Sequence, residues 1–214
     1  VLQSKSVSRV LVATDDNRVV EAVRRFGGEV VMTSPSHACG SDRVAEAVGD
    51  TEVRFVINVQ GDEPMLDPRM LDEVIELLRI TPQAGIATLM RRIEREEEFA
   101  NPGYVKVVTD SRGMALYFSR SLIPYPRVRT EEFRVFDHVG IYGFTKEALA
   151  RFRSLGPSRL ELIEGLEQLR ALEHGIRVVV AETRCPDEAV CVDTYEDLER
   201  VRALLGPNAM EAGK

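Results

Sequence analysis

The residues best able to do chemistry in this chain stand together at Gln60-Gly61-Asp62-Glu63-Pro64, directly after an apolar run over residues 55–59. A run that is apolar on both parities reads as a strand covered on both faces. Gly61 lets the chain turn, two carboxylates follow at once, and Pro64 ends any continuation. Polar groups just beyond the carboxyl end of a buried parallel strand are where open α/β sheets bind ligands. Asp62 in that place suits a metal or a substrate, whereas Glu63 suits a cap on the helix beginning near Pro68. A second group, Gly40-Ser41-Asp42-Arg43, opens another helix, where glycine permits close approach and a helix N-terminus offers donors. Simple helix capping explains Ser41 and Asp42 equally well. Asp193 sits just before the last helix and could cap it.

The elements that must position these groups alternate between strand and helix. Residues 9–14 read as a strand and residues 18–26 as a helix started by the Asp15-Asp16-Asn17 turn and ended by Gly27-Gly28. A strand follows at residues 29–33, a helix from Ser41 or Asp42 to about Val48, a helix at residues 68–80 and a strand at residues 85–89. This rhythm predicts a three-layer, mostly parallel α/β sheet of Rossmann-like type. The rhythm then changes. Residues 105–109 and 115–119, joined by Ser111-Arg112-Gly113, read as a hairpin, and residues 138–144 as a further strand, together an antiparallel extension. Helices at residues 146–153, 161–173 and 194–205 surround a strand at residues 177–182. An extension of this kind often carries a dimer contact, so a homodimer is expected.

The composition excludes several classes. The 214 residues carry a formal net charge of −7, which disfavours a nucleic-acid or anionic-membrane surface. The three cysteines, Cys39, Cys185 and Cys191, form no Cys-x-x-Cys pair, which argues against a disulfide framework or structural zinc and for a reducing, cytoplasmic setting. No apolar run approaches the roughly 20 residues that span a bilayer.

Nine blocks, in order, carry a resemblance. They begin with Val-Ala-Thr-Asp-Asp at residues 12–16, His-x-x-Gly-Ser-Asp-Arg at 37–43 and Asn-Val-Gln-Gly-Asp-Glu-Pro at 58–64. Tyr-Val-Lys-Val-Val follows at 104–108, Ala-Leu-Tyr-Phe-Ser-Arg at 115–120 and Ile-Pro-Tyr at 123–125. The last are His-Val-Gly-Ile-Tyr-Gly-Phe at 138–144, Leu-Glu-Gln-Leu-Arg at 166–170 and Val-Asp-Thr-x-Glu-Asp-Leu at 192–198. Over almost its whole length the chain resembles the 3-deoxy-D-manno-octulosonate (Kdo) cytidylyltransferases, also called CMP-Kdo synthetases. The resemblance implies the nucleotide-diphospho-sugar transferase fold and transfer of a cytidylyl group from CTP to Kdo for lipopolysaccharide biosynthesis. It implies Mg²⁺ held by Asp62 and Asp193, in keeping with magnesium's habit of taking one or two carboxylates plus phosphate oxygens and waters. It places the nucleotide on Gly40, Ser41, Arg43 and Gln60, and the sugar on Arg120, Arg127, His138, Tyr142, Glu167 and Gln168. Arginines suit a carboxylate and the other side chains suit hydroxyls. Arg129 and Arg134 stand close to Arg127 and compete with it, His138 could be a satisfied strand histidine, and Glu167 with Gln168 could be solvated surface.

The chain departs from the pattern in two places. Cys39 stands where the family commonly has a small polar residue. Nothing before Val12 matches the triphosphate-gripping loop that the family carries after its first strand, so a single domain without that strand and loop is read here, with an upstream segment expected. The alternatives are a related acidic-sugar nucleotidyltransferase, such as one activating sialic acid, and a catalytically dead paralogue that only binds nucleotide.

Overall fold

In a computed structural model describing residues 1–185, 192 and 194–206, the chain divides into two units. Val1–Thr51, Val59–Asp72 and Cys185–Lys214 form the first, and Glu52–Asn58 with Glu73–Arg184 the second.

In the first unit, β1 (Leu11–Thr14) pairs in parallel with β2 (Glu29–Met32), Leu11 opposite Glu29. The intervening α1 (Asn17–Arg25) starts where the Asp16 carboxylate accepts from the Arg18 N–H at 2.7 Å, the cap expected of the Asp15-Asp16-Asn17 turn. Gly27, at φ +76°, ends it. The next helix, α2 (Gly40–Val48), begins one residue before Ser41. The segment of Gln60, Asp62 and Glu63 leads to Pro68, where α3 (Pro68–Ile80) starts as expected.

In the second unit a six-stranded sheet is built on one long strand, β7 (Phe136–Thr145). One edge of β7 pairs antiparallel with β4 (Ile86–Arg92), and β4 pairs in parallel with β8 (Val178–Glu182). The other edge is shared by β5 (Lys106–Thr109) near its start and β3 (Phe55–Asn58) near its end. Strands β3, β4, β5 and β8 therefore run in one direction, and the hydrogen-bonded neighbours are mostly antiparallel because β7 runs between them in reverse. The expected hairpin is present: β5 pairs with β6 (Ala115–Ser119) through a turn closed by Gly113 at φ +77°.

Two expectations are corrected here. Residues 55–59 do not form a strand between parallel neighbours; β3 pairs antiparallel with β7, and only Val56 and Asn58 are buried, at alternating positions. The helix expected over residues 161–173 is two. After α4 (Lys146–Ser154), α5 (Arg159–Glu164) stops at Gly165, whose φ of +65° places it in the left-handed region, and α6 (Gln168–Glu173) restarts beyond it. Arg170 of α6 lies wholly buried, with Nε and Nη2 donating to the two Glu161 carboxylate oxygens of α5 at 2.8 and 2.6 Å, and its guanidinium over the Phe152 ring. The final helix, α7 (Tyr195–Leu205), is capped by Thr194, which accepts from the Asp197 N–H.

Candidate functional site

Four predicted nucleotide-side residues lie in the first unit. Gly40 opens α2, and the carbonyl of the preceding Cys39 accepts the Arg43 N–H at 3.4 Å, while the Cys39 thiol donates to Asp42 at 3.3 Å. The unusual cysteine therefore serves the helix start through its backbone. Arg43 is engaged internally: its guanidinium donates to the Thr33 hydroxyl at 2.7 Å and to Asp15 at 2.9 Å. That ties the ends of β1 and β2 to α2, a task the sequence pattern did not announce. Ser41 is wholly buried, so the geometry does not offer its side chain to a ligand. The loop at residues 34–39 is held by Glu46, which accepts from the Ser34 N–H and pairs with His37. Gln60 is half-buried and Asp62 exposed.

The carboxylate side is held from the C-terminal segment. The Val192 N–H donates to the Asp62 carbonyl at 2.9 Å, which joins the turn after β3 to the residue covalently preceding Asp193. Asp193 itself lies outside the described residues. The cap of α7 belongs to Thr194. Among the described residues no three His, Cys, Asp or Glu side chains converge as a metal cage. An exposed carboxylate beside a turn is the kind of hard oxygen donor magnesium accepts, with water and phosphate completing its shell.

Three predicted sugar-side residues, His138, Tyr142 and Gln168, meet in the second unit, around an irregularity in β7. Leu89 faces Val139 but Thr88 faces Tyr142, so β7 carries two extra residues, Gly140 and Ile141, between them. In an unbroken strand, residues four apart stand about 13 Å from each other. The bulge shortens that span, and the His138 and Tyr142 rings lie 5.3 Å apart by their centroids. On its other side His138 meets the Phe118 ring edge-on at 5.0 Å. The Tyr142 hydroxyl donates to Gln168 Oε1 at 3.0 Å. His138 and Gln168 are 9% and 3% exposed, so both are buried polar groups. Burial holds the His138 pKa down to about 3, which keeps its ring neutral. Gln168 begins α6, and half-buried Glu167 precedes it between the buried Leu166 and Leu169, which puts the pair at the edge of the buried face rather than on solvated surface.

Arg120 and Arg127 behave differently. Arg120 donates to the carbonyls of Glu164, Pro102 and Gly165, at 2.8, 3.0 and 3.5 Å. It ties β6 to the α5–α6 break and, among the described residues, leaves one N–H on each terminal nitrogen without an acceptor. In the arginine stretch, Arg129 pairs with Glu96, and Arg134 donates to the carbonyls of Glu131 and Phe133. The exposed Arg127 guanidinium has no hydrogen bond or ion pair among the described residues.

The sequence reading missed the groups that brace this side. Lys106 is wholly buried, and its ammonium donates to the carbonyls of Asn101 and Tyr104 at 2.7 and 2.5 Å. Burial pushes its pKa down, although Asp137 opposes this. Asp137 pairs with Arg91, and burial raises its pKa to about 6 against that attraction. Glu164 accepts from the Ser119 hydroxyl and the Arg120 N–H.

The fold is that of the nucleotidyltransferases. A nucleotidyl transferase from Methanothermobacter thermautotroptrophicus shares it at TM-score 0.52 and 18% identity, over 93% of this chain and 74% of that one. A far closer likeness is the structure of CMP:2-keto-3-deoxy-manno-octonic acid synthetase complexed with CTP. It has TM-score 0.88 and 43% identity, covering 98% of this chain and 84% of that one. The sequence model of the family described as Cytidylyltransferase matches residues 1–182. The 3-deoxy-manno-octulosonate cytidylyltransferase of Syntrophus aciditrophicus is 47% identical over 96% of this chain and 83% of its own length. The chain belongs to the 3-deoxy-manno-octulosonate cytidylyltransferase family.

Proposed function

We propose that this chain catalyses cytidylyl transfer from CTP to Kdo, giving CMP-Kdo and diphosphate. The observation that carries the reading is the match, along 98% of the chain, to a synthetase bound to CTP. In the reaction the anomeric hydroxyl oxygen of the sugar bonds to the α-phosphorus, the bond from that phosphorus to the bridging oxygen breaks, diphosphate departs with the electron pair, and the hydroxyl proton passes to solvent. Such transfers depend on positioning and charge neutralisation more than on covalent catalysis.

The residues divide the work by substrate. Gly40 and Gln60 meet the nucleotide, whereas Arg43 and Ser41 hold the loop that carries Gly40. His138, Tyr142, Glu167 and Gln168 bond the sugar hydroxyls, and Arg127 takes the carboxylate. Arg120 fixes the backbone around them and has two N–H groups to spare. Asp62 and Asp193 would hold Mg²⁺; the bond from Val192 to the Asp62 carbonyl and the capping of α7 by Thr194 support that pair. When bound, the metal neutralises phosphate charge and lowers the pKa of the attacking hydroxyl.

The product serves lipopolysaccharide synthesis in the cytoplasm. No helix among the described residues is long and apolar enough to cross a membrane. A homodimer is proposed as well, supported by the exposed Leu116 of β6 and Leu162 and Ile163 of α5, in the second unit. Release of diphosphate from CTP and Kdo with Mg²⁺ tests the activity. Release with another acidic sugar but none with Kdo turns the reading to a related transferase. CTP binding without turnover turns it to a nucleotide-binding paralogue.

A further inference from the structure

We propose that Thr88 is a positioning residue that fixes His138 as the Nε2–H tautomer, so that Nδ1 is offered to the sugar as an acceptor only. Thr88 lies wholly buried on β4, opposite the bulge. Its Oγ1 stands 2.8 Å from His138 Nε2, 2.7 Å from the Ile141 carbonyl and 3.1 Å from the Val139 carbonyl.

The hydroxyl has one hydrogen, and two of its three neighbours are carbonyl oxygens that can only accept. If that hydrogen went to the histidine, the hydroxyl oxygen would face two carbonyl oxygens with no proton between them. Donation to the Ile141 carbonyl instead relieves the closer of the two contacts and leaves an Oγ1 lone pair for an N–H at Nε2. A neutral ring carries one N–H, so the other nitrogen, Nδ1, is a bare acceptor.

Among the described residues Thr88 Oγ1 is the ring's only hydrogen-bond partner, and Phe118 and Tyr142 flank the ring. Nδ1 is thus a held acceptor in a nearly buried ring, beside the Tyr142–Gln168 pair. The ligand it selects donates a hydroxyl hydrogen, as a polyhydroxy acid does. An analogue lacking that hydroxyl would leave Nδ1 without a donor, a strong basis for rejection. The same hydroxyl donates to the carbonyl of Ile141, a residue of the bulge, so Thr88 ties the bulge to the tautomer.

The inference rests on the sugar-side reading of His138, yet its first test needs no substrate. The chain has three histidines, His37, His138 and His174. ¹⁵N-histidine NMR of the resting full-length protein, assigned with His37→Gln and His174→Gln, should show His138 with a protonated Nε2 and an unprotonated Nδ1. A protonated Nδ1 in that spectrum overturns the proposal whatever the substrate. Thr88→Val keeps the side-chain shape without the hydroxyl and should disturb the tautomer signature and raise the KM for the sugar about tenfold, the loss of roughly one hydrogen bond. The KM for CTP should stay unchanged, and Thr88→Ser should restore both sugar KM and spectrum. Equal behaviour of the Val and Ser variants, each folded, also overturns it. Absence of turnover with Kdo in the unaltered protein counts against the substrate reading alone, because the spectrum is read without sugar.

Discussion

Asp62 is exposed, while its backbone carbonyl is held by the Val192 N–H. Its side chain is therefore dispensable to the turn, which makes Asp62→Asn a clean test of the metal proposal. That variant should lose turnover by at least about a hundredfold, on the scale of a lost electrostatic contact at a reacting phosphate, with its circular dichroism and melting temperature unchanged. Near-normal turnover would refute the metal assignment. At this scale the sequence reported residue type well and commitment poorly. Arg43 and Arg120 are the cations the resemblance picks out, yet both guanidinia are engaged, the first by Asp15 and Thr33, the second by backbone carbonyls. Nothing in one chain's residue order says which carbonyls a fold will turn toward an arginine. Arg127 shows the converse: residue order ranks it equal with Arg129 and Arg134, and only the fold engages those two, with Glu96 and with the Glu131 and Phe133 carbonyls.

Elements place the sugar-side groups through two interruptions, the β7 bulge and the Gly165 break. Neither was legible. The helical spacing from residue 161 to 173 continues across Gly165, and only its left-handed backbone stops the helix. The bulge depends on how β4 lies against β7, a long-range property. Hairpin β5–β6, helix α3 and the capped start of α1 were legible because turn residues, helical periodicity and N-cap chemistry are local. The break between α5 and α6 is held by Arg170 and Glu161. Glu161→Gln should destabilise the protein by about 3 kcal/mol in urea unfolding, because the wholly buried guanidinium loses its counter-charge. A change within error of zero would mean the pair carries no stability.

At the scale of the whole molecule, acid stability is set partly by two neighbours on β7 with opposite signs. Asp137 titrates at about 6 when folded against an ordinary 3.8, so the folded state holds an extra proton between those values. Its contribution is present at low pH and lost as pH rises through 6. His138 titrates at about 3 when folded against 6.5, so there the unfolded state holds the extra proton. That contribution is complete above 6.5 and lost as pH falls. Between pH 4 and 6 the two oppose each other. Asp137→Asn removes one of them, and its stability should fall faster on acidification across that window than the unaltered protein's, by up to about 1.4 kcal/mol per pH unit. Equal slopes in denaturant titrations at a series of pH values would contradict the opposition.

The two units also divide the proposed contacts, nucleotide and metal residues in the first and sugar residues in the second. The measurement that tests the central claim most directly follows both products at once. Full-length protein is given CTP, Kdo and Mg²⁺, and ³¹P NMR reads diphosphate and a phosphodiester of CMP. The account predicts equal amounts of diphosphate and CMP-Kdo, dependent on all three additions. Diphosphate without the phosphodiester, or no reaction with Kdo alongside reaction with another acidic sugar, would contradict it.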